Sequence, residues 1–209
     1  MQRLASRSPG WPEVVRRGLD LVGACLGLLL AGPILAVCAL LIWSEDGGPV
    51  LYRRRMLGLG GQPIEVLKLR SMRADADEWL ARHPELLAEY RLKFKLVRDP
   101  RVTRVGRVLR KLSVDELPQL VNVLRGEMSL VGPRPIHTSE LASYGDFGAR
   151  RLSVKPGLTG LWQVSGRHSV DHPRRVMLDR RYIEQRSLMM DLLILLRTPL
   201  AVLLGRGAC

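Results

Sequence analysis

The sequence predicts a mainly helical α+β protein, in which one apolar N-terminal helix is joined to a small domain of short helices and few strands. Three observations predict it. The segment Leu21–Ser44 carries no charged residue, and about 20 apolar residues are enough to reach across a bilayer core. Segments 49–55 and 63–72 have the pattern of two strands around a glycine-rich loop. Apolar residues recur at helical spacing between 102 and 124.

The composition is strongly basic. Lys and Arg total 33 against 20 Asp and Glu in 209 residues, a formal net charge of +13. This excess favours polyanionic partners, namely nucleic acid, anionic lipid headgroups or phosphorylated substrates, and charge alone does not choose among them. The length suits one domain, or one domain with an anchor. Cys25, Cys38 and Cys209 show neither a disulfide framework nor zinc-ligand spacing, which suits a reducing compartment.

The apolar segment has two interpretations. A plain transmembrane helix is the simpler one. A helix that enters the membrane, bends and returns to the same face is favoured by Pro33, which removes a hydrogen bond midway, and by basic residues at both ends, Arg16 and Arg17 before and Arg53–Arg55 after. Positive charge marks the cytoplasmic side. The predicted divisions are a basic segment 1–18, a re-entrant membrane helix 19–44 and a domain 45–209.

The domain begins with the predicted hairpin. Lys68 and Arg70 lie on one face of its second strand by period-two spacing, which by itself is typical of a solvated strand face. Segment 74–94 is predicted to be helical with a break at Pro84. In the next helix the apolar stripe comprises Val102, Val105, Leu109 and Leu112. Its basic residues, Arg110 among them, form either a solvated face or a source of cations for the site that follows.

Two adjacent carboxylates, Asp115 and Glu116, lie in the stretch SVDELPQL. Ser113 with Glu116 fits a capping box, and alternatively Pro118 occupies the first helical position. Both interpretations place the carboxylates near a helix start. Capping accounts for Glu116 but not for Asp115. A helix dipole would keep Asp115 ionised, as a nucleophile or a metal ligand requires.

Further along, prolines on both sides of Arg134 make a rigid loop that presents one guanidinium, an arrangement suited to phosphate. An ordinary turn with an exposed arginine is the alternative. The glycine-rich segment 155–167 would let a backbone approach a phosphate closely, although loops are often rich in glycine. The last segment, 187–209, is apolar except for Asp191 and Arg197. It is either a helix on a membrane surface or a buried C-terminal helix.

Together these residues resemble the bacterial sugar transferase family, the monotopic polyprenyl-phosphate phosphoglycosyl transferases that start surface polysaccharide assembly. The resemblance extends from about Arg16 to the C-terminus, is most specific in segments 99–135 and 155–167, and favours the short form that transfers a hexose-1-phosphate. It implies a small cytoplasmic catalytic domain with interfacial amphipathic helices, on the cytoplasmic face of the bacterial inner membrane. The family's re-entrant helix breaks at a Ser-Pro pair, where this chain has Gly32 and Pro33.

The resemblance also implies a reaction. Asp115 would attack the β-phosphate of a UDP-sugar, release UMP and form a phosphosugar–aspartyl enzyme, which polyprenyl (undecaprenyl) phosphate then attacks. Glu116 would hold Mg²⁺, which neutralises the diphosphate. The substrate-binding residues implied by the motifs are Lys68, Arg70, Arg110, Arg134, Thr159, Gln163, Arg167, Asp179 and Asp191.

The implied partners are a UDP-sugar, polyprenyl phosphate and inner-membrane lipid, without nucleic acid; whether the protein is a homodimer is open. Galactose and glucose are the sugars that the resemblance favours. Two alternative functions are a nucleic-acid-binding helix-turn-helix module and a non-catalytic membrane adaptor. The first would not need the apolar segment, and the second would tolerate loss of Asp115.

Overall fold

The computed structural model describes residues 10–93, 96, 99–166 and 169–203. It is a mainly helical α+β structure. The helices in chain order are α1 (Trp11–Asp46), α2 (Ala76–Ala81), α3 (Pro84–Lys93), α4 (Arg104–Leu112), α5 (Gln119–Leu124), α6 (Thr138–Leu141), α7 (Gly148–Arg151), α8 (Leu161–Val164), α9 (His172–Gln185) and α10 (Leu188–Leu203). The strands are β1 (Leu51–Leu57), β2 (Pro63–Leu69), β3 (Ser129–Val131) and β4 (Gly157–Thr159).

Helix α1 is longer at both ends than the predicted membrane segment 19–44. The helix continues through Pro33 without interruption. Pro33 therefore does not divide α1 into two helices. The helix ends at Gly47, whose left-handed φ of 66° is accessible to glycine and lets its N–H bond to the Trp43 carbonyl at 2.7 Å. By length and composition α1 could cross a membrane. Its path in a membrane stays a prediction.

One face of α1 completes the core of the domain. Near its start Ala24 packs against residues of β2 and α5, and near its end Cys38 and Ile42 pack against Leu69 and Leu109. Close approach depends on a small residue at Gly27, where a Cβ would lie 3.0 Å from a methyl carbon of Leu120. Both halves of the helix are therefore attached to the same domain.

The predicted hairpin is present. Strands β1 and β2 are antiparallel, with Leu51 opposite Leu69 and Leu57 opposite Pro63. A second, parallel pair, β3 with β4, brings Val131 beside Thr159. At the end of this pair a Cβ on Gly157 would lie 2.0 Å from the backbone nitrogen of Gly132. This contact places the loop around Arg134 against the glycine-rich loop.

Two helix predictions have different outcomes. The predicted break at Pro84 is confirmed, because α3 begins at that proline.

The predicted apolar stripe of α4 is wrong at Leu112, which is 52% exposed. Helix α4 instead packs through Gly106, where a Cβ would lie 2.0 Å from the carbonyl oxygen of Ser71. This contact turns Leu109 inward and Leu112 outward.

Helix α10 buries little of its apolar surface. Asp191 and Ile194 are its buried residues, and its exposed large apolar residues are Met189, Leu192, Leu193, Leu196, Leu200 and Leu203. Of the two interpretations of this segment, a fully buried C-terminal helix does not fit this exposure.

Candidate active site

The two adjacent carboxylates lie on a single 3₁₀ turn, Val114–Glu116, between α4 and α5. The turn follows Ser113, which has a φ of 56° and is the one non-glycine residue with positive φ in the described part of the chain. Such a conformation costs roughly 1–3 kcal/mol and is often found at functional sites. It ends α4 abruptly and sets the direction of the turn that carries Asp115.

Glu116 is held by two cations that come from distant segments. Lys68 Nζ, on β2, donates to Glu116 Oε1 at 2.7 Å. Arg134 donates to the same oxygen at 2.7 Å and to Oε2 at 3.3 Å. The backbone N–H of Ser113 donates to the Arg110 carbonyl, not to Glu116, and the turn has no side-chain cap. The capping-box interpretation is therefore wrong. Pro118 instead directly precedes α5.

The two carboxyl groups have opposite pKa shifts. Burial would raise the pKa of Glu116, but the charges of Arg134 and Lys68 outweigh it and hold that pKa far below its usual range. For Asp115, burial and the Glu116 charge raise the pKa, and Lys68, Arg110 and Arg134 oppose the shift without cancelling it. The neighbouring cations thus favour the ionised form of Glu116. Asp115 is a buried carboxyl group with a raised pKa, and three cations act on it.

Arg110 is the third cation of the site. Its Nε donates to Ser71 Oγ at 2.8 Å. Burial lowers the pKa of Arg110, and the nearby charge of Asp115 opposes that shift. The structure therefore brings five predicted residues into one cluster, which we call the dyad site: Lys68, Arg110, Asp115, Glu116 and Arg134.

Arg134 is itself positioned by a buried arginine that the sequence analysis missed. Arg151, which is 1% exposed, donates to the carbonyl oxygen of Arg134. Behind it lies Asp179, 3.6 Å from Arg151 Nε, and Tyr144 donates to Asp179 at 2.7 Å. Burial raises the pKa of Asp179 to about 6, against the opposing charge of Arg151. Asp179 therefore contacts Arg151, which in turn contacts Arg134, and its connection to the dyad site is indirect.

Two other predicted binding residues support α1 and α10. Arg70 forms an ion pair with Asp46 at the end of α1. Asp191 accepts from Arg16 Nε on α1 and from the hydroxyl of Tyr182, both at 2.7 Å. Within the described residues, no hydrogen bond or ion pair joins either side chain to the dyad site.

The glycine-rich loop holds the remaining predicted residues. Thr159 Oγ1 is 2.8 Å from Thr198 Oγ1 of α10. Gln163 donates to the Leu158 carbonyl at 3.0 Å, and its buried Oε1 has no hydrogen-bond partner within the described residues. Arg167 lies outside the described residues.

Arg175 is a further residue that sequence reasoning missed. Its guanidinium lies over the Trp162 ring, 4.6 Å from the centroid, and its Nε donates to the Val170 carbonyl. Burial and the charge of Arg134 lower its pKa. In the sequence it is one of many arginines, so no local pattern distinguishes it.

The magnesium ion implied by the resemblance has a limited donor set. The described ranges contain no group of three or more His, Cys, Asp or Glu able to hold a metal. Mg²⁺ commonly binds through one or two carboxylates together with substrate phosphates, and Asp115 and Glu116 provide such carboxylates. The carboxylate oxygens fit Mg²⁺, but Lys68 and Arg134 now occupy those of Glu116. One of these two cations would have to move from Glu116 to a phosphate for the ion to bind there.

Comparison with known proteins shows what the chain is similar to. The model of the family described as bacterial sugar transferase matches residues 11–205. Exopolysaccharide production protein ExoY of Rhizobium meliloti is 45% identical over 93% of this chain and 88% of that protein. The UDP-glucose:undecaprenyl-phosphate glucose-1-phosphate transferase of Caulobacter vibrioides is 43% identical over 94% of this chain and 74% of its own length. The undecaprenyl-phosphate galactose phosphotransferase of Salmonella typhimurium is 43% identical over 98% of this chain, which spans 43% of that protein.

Proposed function

This chain belongs to the bacterial sugar transferase family and is a transferase, and we propose that it moves a sugar-1-phosphate from a UDP-sugar to undecaprenyl phosphate. The observation that carries the proposal is the dyad site, where a buried Asp115 is surrounded by three cations and adjoins a carboxylate that stays ionised. The names of two relatives give the same acceptor with galactose or glucose as the sugar. Transfer of this kind begins the assembly of a surface polysaccharide.

Asp115 acts as the nucleophile in this proposal. Its carboxylate oxygen forms a bond to the β-phosphorus of the UDP-sugar, the bond from that phosphorus to the bridging oxygen breaks, and UMP leaves. An oxygen of undecaprenyl phosphate then attacks the same phosphorus and releases Asp115. One phosphoryl transfer is thereby split into two steps. The cations matter because an anionic nucleophile must approach an anionic diphosphate.

The cations of the dyad site are already paired before substrate binds. Lys68 and Arg134 contact Glu116, so a diphosphate entering the site can take over hydrogen bonds that these two cations already direct toward an anion. Glu116 is the residue that would hold Mg²⁺, which neutralises diphosphate charge when bound. Arg151 keeps the Arg134 backbone in place during this exchange.

The protein's place is proposed to be the cytoplasmic face of the inner membrane, with α1 re-entrant and α10 on the membrane surface. Three observations support this. Both halves of α1 pack on the same domain, basic residues lie beyond both ends of its apolar segment, and α10 exposes an apolar face. Backbone carbonyls left free near Pro33 must find protein or water partners, since lipid offers none.

The topology is tested by cysteine accessibility. In a variant without native cysteines, Ser6→Cys and Gln62→Cys should both be shielded from a membrane-impermeant reagent applied to the periplasmic side, and both should react after lysis. Pro33→Ala, which permits a straight helix, should increase periplasmic labelling of Ser6→Cys. Periplasmic labelling of Ser6→Cys with Pro33 intact would require a single spanning helix instead.

The activity is tested with a panel of UDP-sugars and undecaprenyl phosphate. We expect UMP as the nucleotide product, with UDP-galactose or UDP-glucose as the preferred donor. UMP and UDP are separated by chromatography, because the product identifies which bond breaks. Release of UDP would indicate transfer of the sugar without its phosphate, and would exclude the proposed reaction.

A further inference from the structure

Two cations meet at the start of the apolar part of α1. Arg17 lies one turn before Leu21, and its guanidinium donates to the carbonyls of Val123 and Leu124 at 2.6 and 2.7 Å. It is therefore fixed at the carboxyl end of α5. A Cβ built on Gly126 would lie 3.6 Å from an Arg17 nitrogen and 3.7 Å from Lys155 Nζ. Both cations thus border the same position, which Gly126 leaves without a side chain.

The ammonium of Lys155 has no hydrogen bond or salt bridge within the described ranges. The two carboxylates whose charges act most on Lys155 are Asp20 and Glu13, and neither forms an ion pair with it in the described residues. Asp20 accepts through Oδ1 from the Ser129 hydroxyl at 2.9 Å and from the Leu130 N–H at 2.7 Å. Glu13 pairs with Arg16 and Arg186. Glu127, which follows Gly126 in the chain, accepts from the Asn122 side chain at 2.6 Å.

The carboxylates of Asp20 and Glu13 offset only part of the unfavourable interactions at this pair. Lys155 is half-buried, and burial together with the charge of Arg17 lowers its pKa. Two cations that border one small space repel each other, and an anion in that space would attract both and offset the repulsion. A phosphate group offers several acceptor oxygens and matches a guanidinium and an ammonium.

The position of Arg17 along α1, with Lys155 beside it, indicates which kind of molecule would supply the anion. The charge-free segment of α1 begins at Leu21, four residues after Arg17 and therefore about 6 Å further along the helix axis. If that segment occupies the hydrocarbon, Arg17 and Lys155 lie at the level of the lipid phosphates. The outward side chains here, Leu19, Leu21 and Val22, are exposed, as expected for a lipid-facing surface.

We propose that Arg17 and Lys155 bind the phosphate group of a membrane lipid in the space beside Gly126 that both side chains border. The site is separate from the dyad site, whose cations are Lys68, Arg110 and Arg134. The proposal rests on α1 lying in the membrane and not on the proposed reaction. A phospholipid phosphate and the phosphate of a polyprenyl phosphate share this chemistry, and the experiment distinguishes them.

The test is native mass spectrometry of the full-length protein in detergent, titrated separately with phosphatidylglycerol, undecaprenyl phosphate and phosphatidylcholine. Lys155→Gln should weaken binding of one of the two anionic lipids about tenfold or more, the effect of losing one hydrogen bond between charged groups. Arg125→Gln is the matched control, because it removes the same charge from an exposed residue beside Gly126. It should leave the affinity nearly unchanged.

The outcomes decide the proposal. A selective loss with phosphatidylglycerol assigns the site to a phospholipid, and a selective loss with undecaprenyl phosphate assigns it to the acceptor lipid. An equal loss in Lys155→Gln and Arg125→Gln would show diffuse charge attraction and overturn the site, and so would unchanged affinity in Lys155→Gln. Since no UDP-sugar is present, the result does not depend on whether the proposed reaction occurs.

Discussion

Asp115→Asn should abolish UMP release, with a loss of roughly 10³-fold or more, while the protein remains folded and bound to membrane. Asparagine keeps the shape of the side chain and removes the negative charge that the proposed attack on phosphorus requires. The free energy of unfolding of the Asp115→Asn variant should not be lower than that of the wild type. Because the folded pKa of Asp115 is raised, the stability it contributes is present below its unfolded pKa and is lost as the pH rises through the folded value. At neutral pH the ionised group is therefore unfavourable, and asparagine removes that cost.

The measurement is UMP release with UDP-galactose and UDP-glucose, together with thermal unfolding of the same samples. Asp146→Asn, which changes an exposed aspartate, serves as the control and should behave as wild type. With donor alone and no lipid acceptor, the wild type should release about one equivalent of UMP, and Asp115→Asn none. Substantial turnover in Asp115→Asn would rule out Asp115 as the nucleophile.

Glu116→Gln should impair both turnover and stability. The change leaves Lys68 and Arg134 beside each other without their shared anion. Removing one partner of a buried pair costs about 3–5 kcal/mol, and exposed pairs are worth about 0–1 kcal/mol. Because Lys68 and Arg134 are 23% and 37% exposed, we expect a loss of roughly 2 kcal/mol in the free energy of unfolding. Turnover should fall, and its dependence on Mg²⁺ should change, because a hard oxygen anion is lost.

The measurements are urea unfolding and UMP release across a magnesium series. Glu65→Gln is the matched control, since Glu65 pairs with Arg53 at 3.6 Å on the exposed face of the hairpin. The pH dependence gives a second check. The folded pKa of Glu116 is lowered, so its stabilising contribution is present above the unfolded pKa and lost only as the pH falls toward the folded value. An unfolding loss near 1 kcal/mol, as for a helix cap, with an unchanged magnesium response would contradict the role proposed for Glu116.

Local patterns in the sequence were sufficient for several elements. The hairpin follows from two strand-like runs around glycines, and the break before α3 follows from Pro84. Adjacent carboxylates among basic residues, followed by an arginine between two prolines, indicated Asp115, Glu116 and Arg134 of the dyad site, whereas Lys68 was implied only by the family resemblance. Each of these signals lies within a few residues of the feature it predicts.

The rest depended on contacts between distant segments. Ser113 and Glu116 have the spacing of a capping box, but Lys68 and Arg134, from β2 and a later loop, take the Glu116 carboxylate. Strands β3 and β4 have three residues each, too few to show a period. Arg151 is one arginine among many in a basic sequence, and only the fold shows that it is buried.

The packing of α1 has a consequence for protein production. A shortened protein beginning at β1 would lack the surface that covers Leu120 and Leu109, the Arg17 side chain that satisfies the carboxyl end of α5, and the Arg16 that neutralises buried Asp191. Such a protein would expose apolar core and leave buried polar groups without partners. Helix α1 is thus part of the folding unit of the domain. A detergent-free version should keep the inward face of α1 and replace its outward residues, such as Leu29, Leu30 and Leu40, with polar ones.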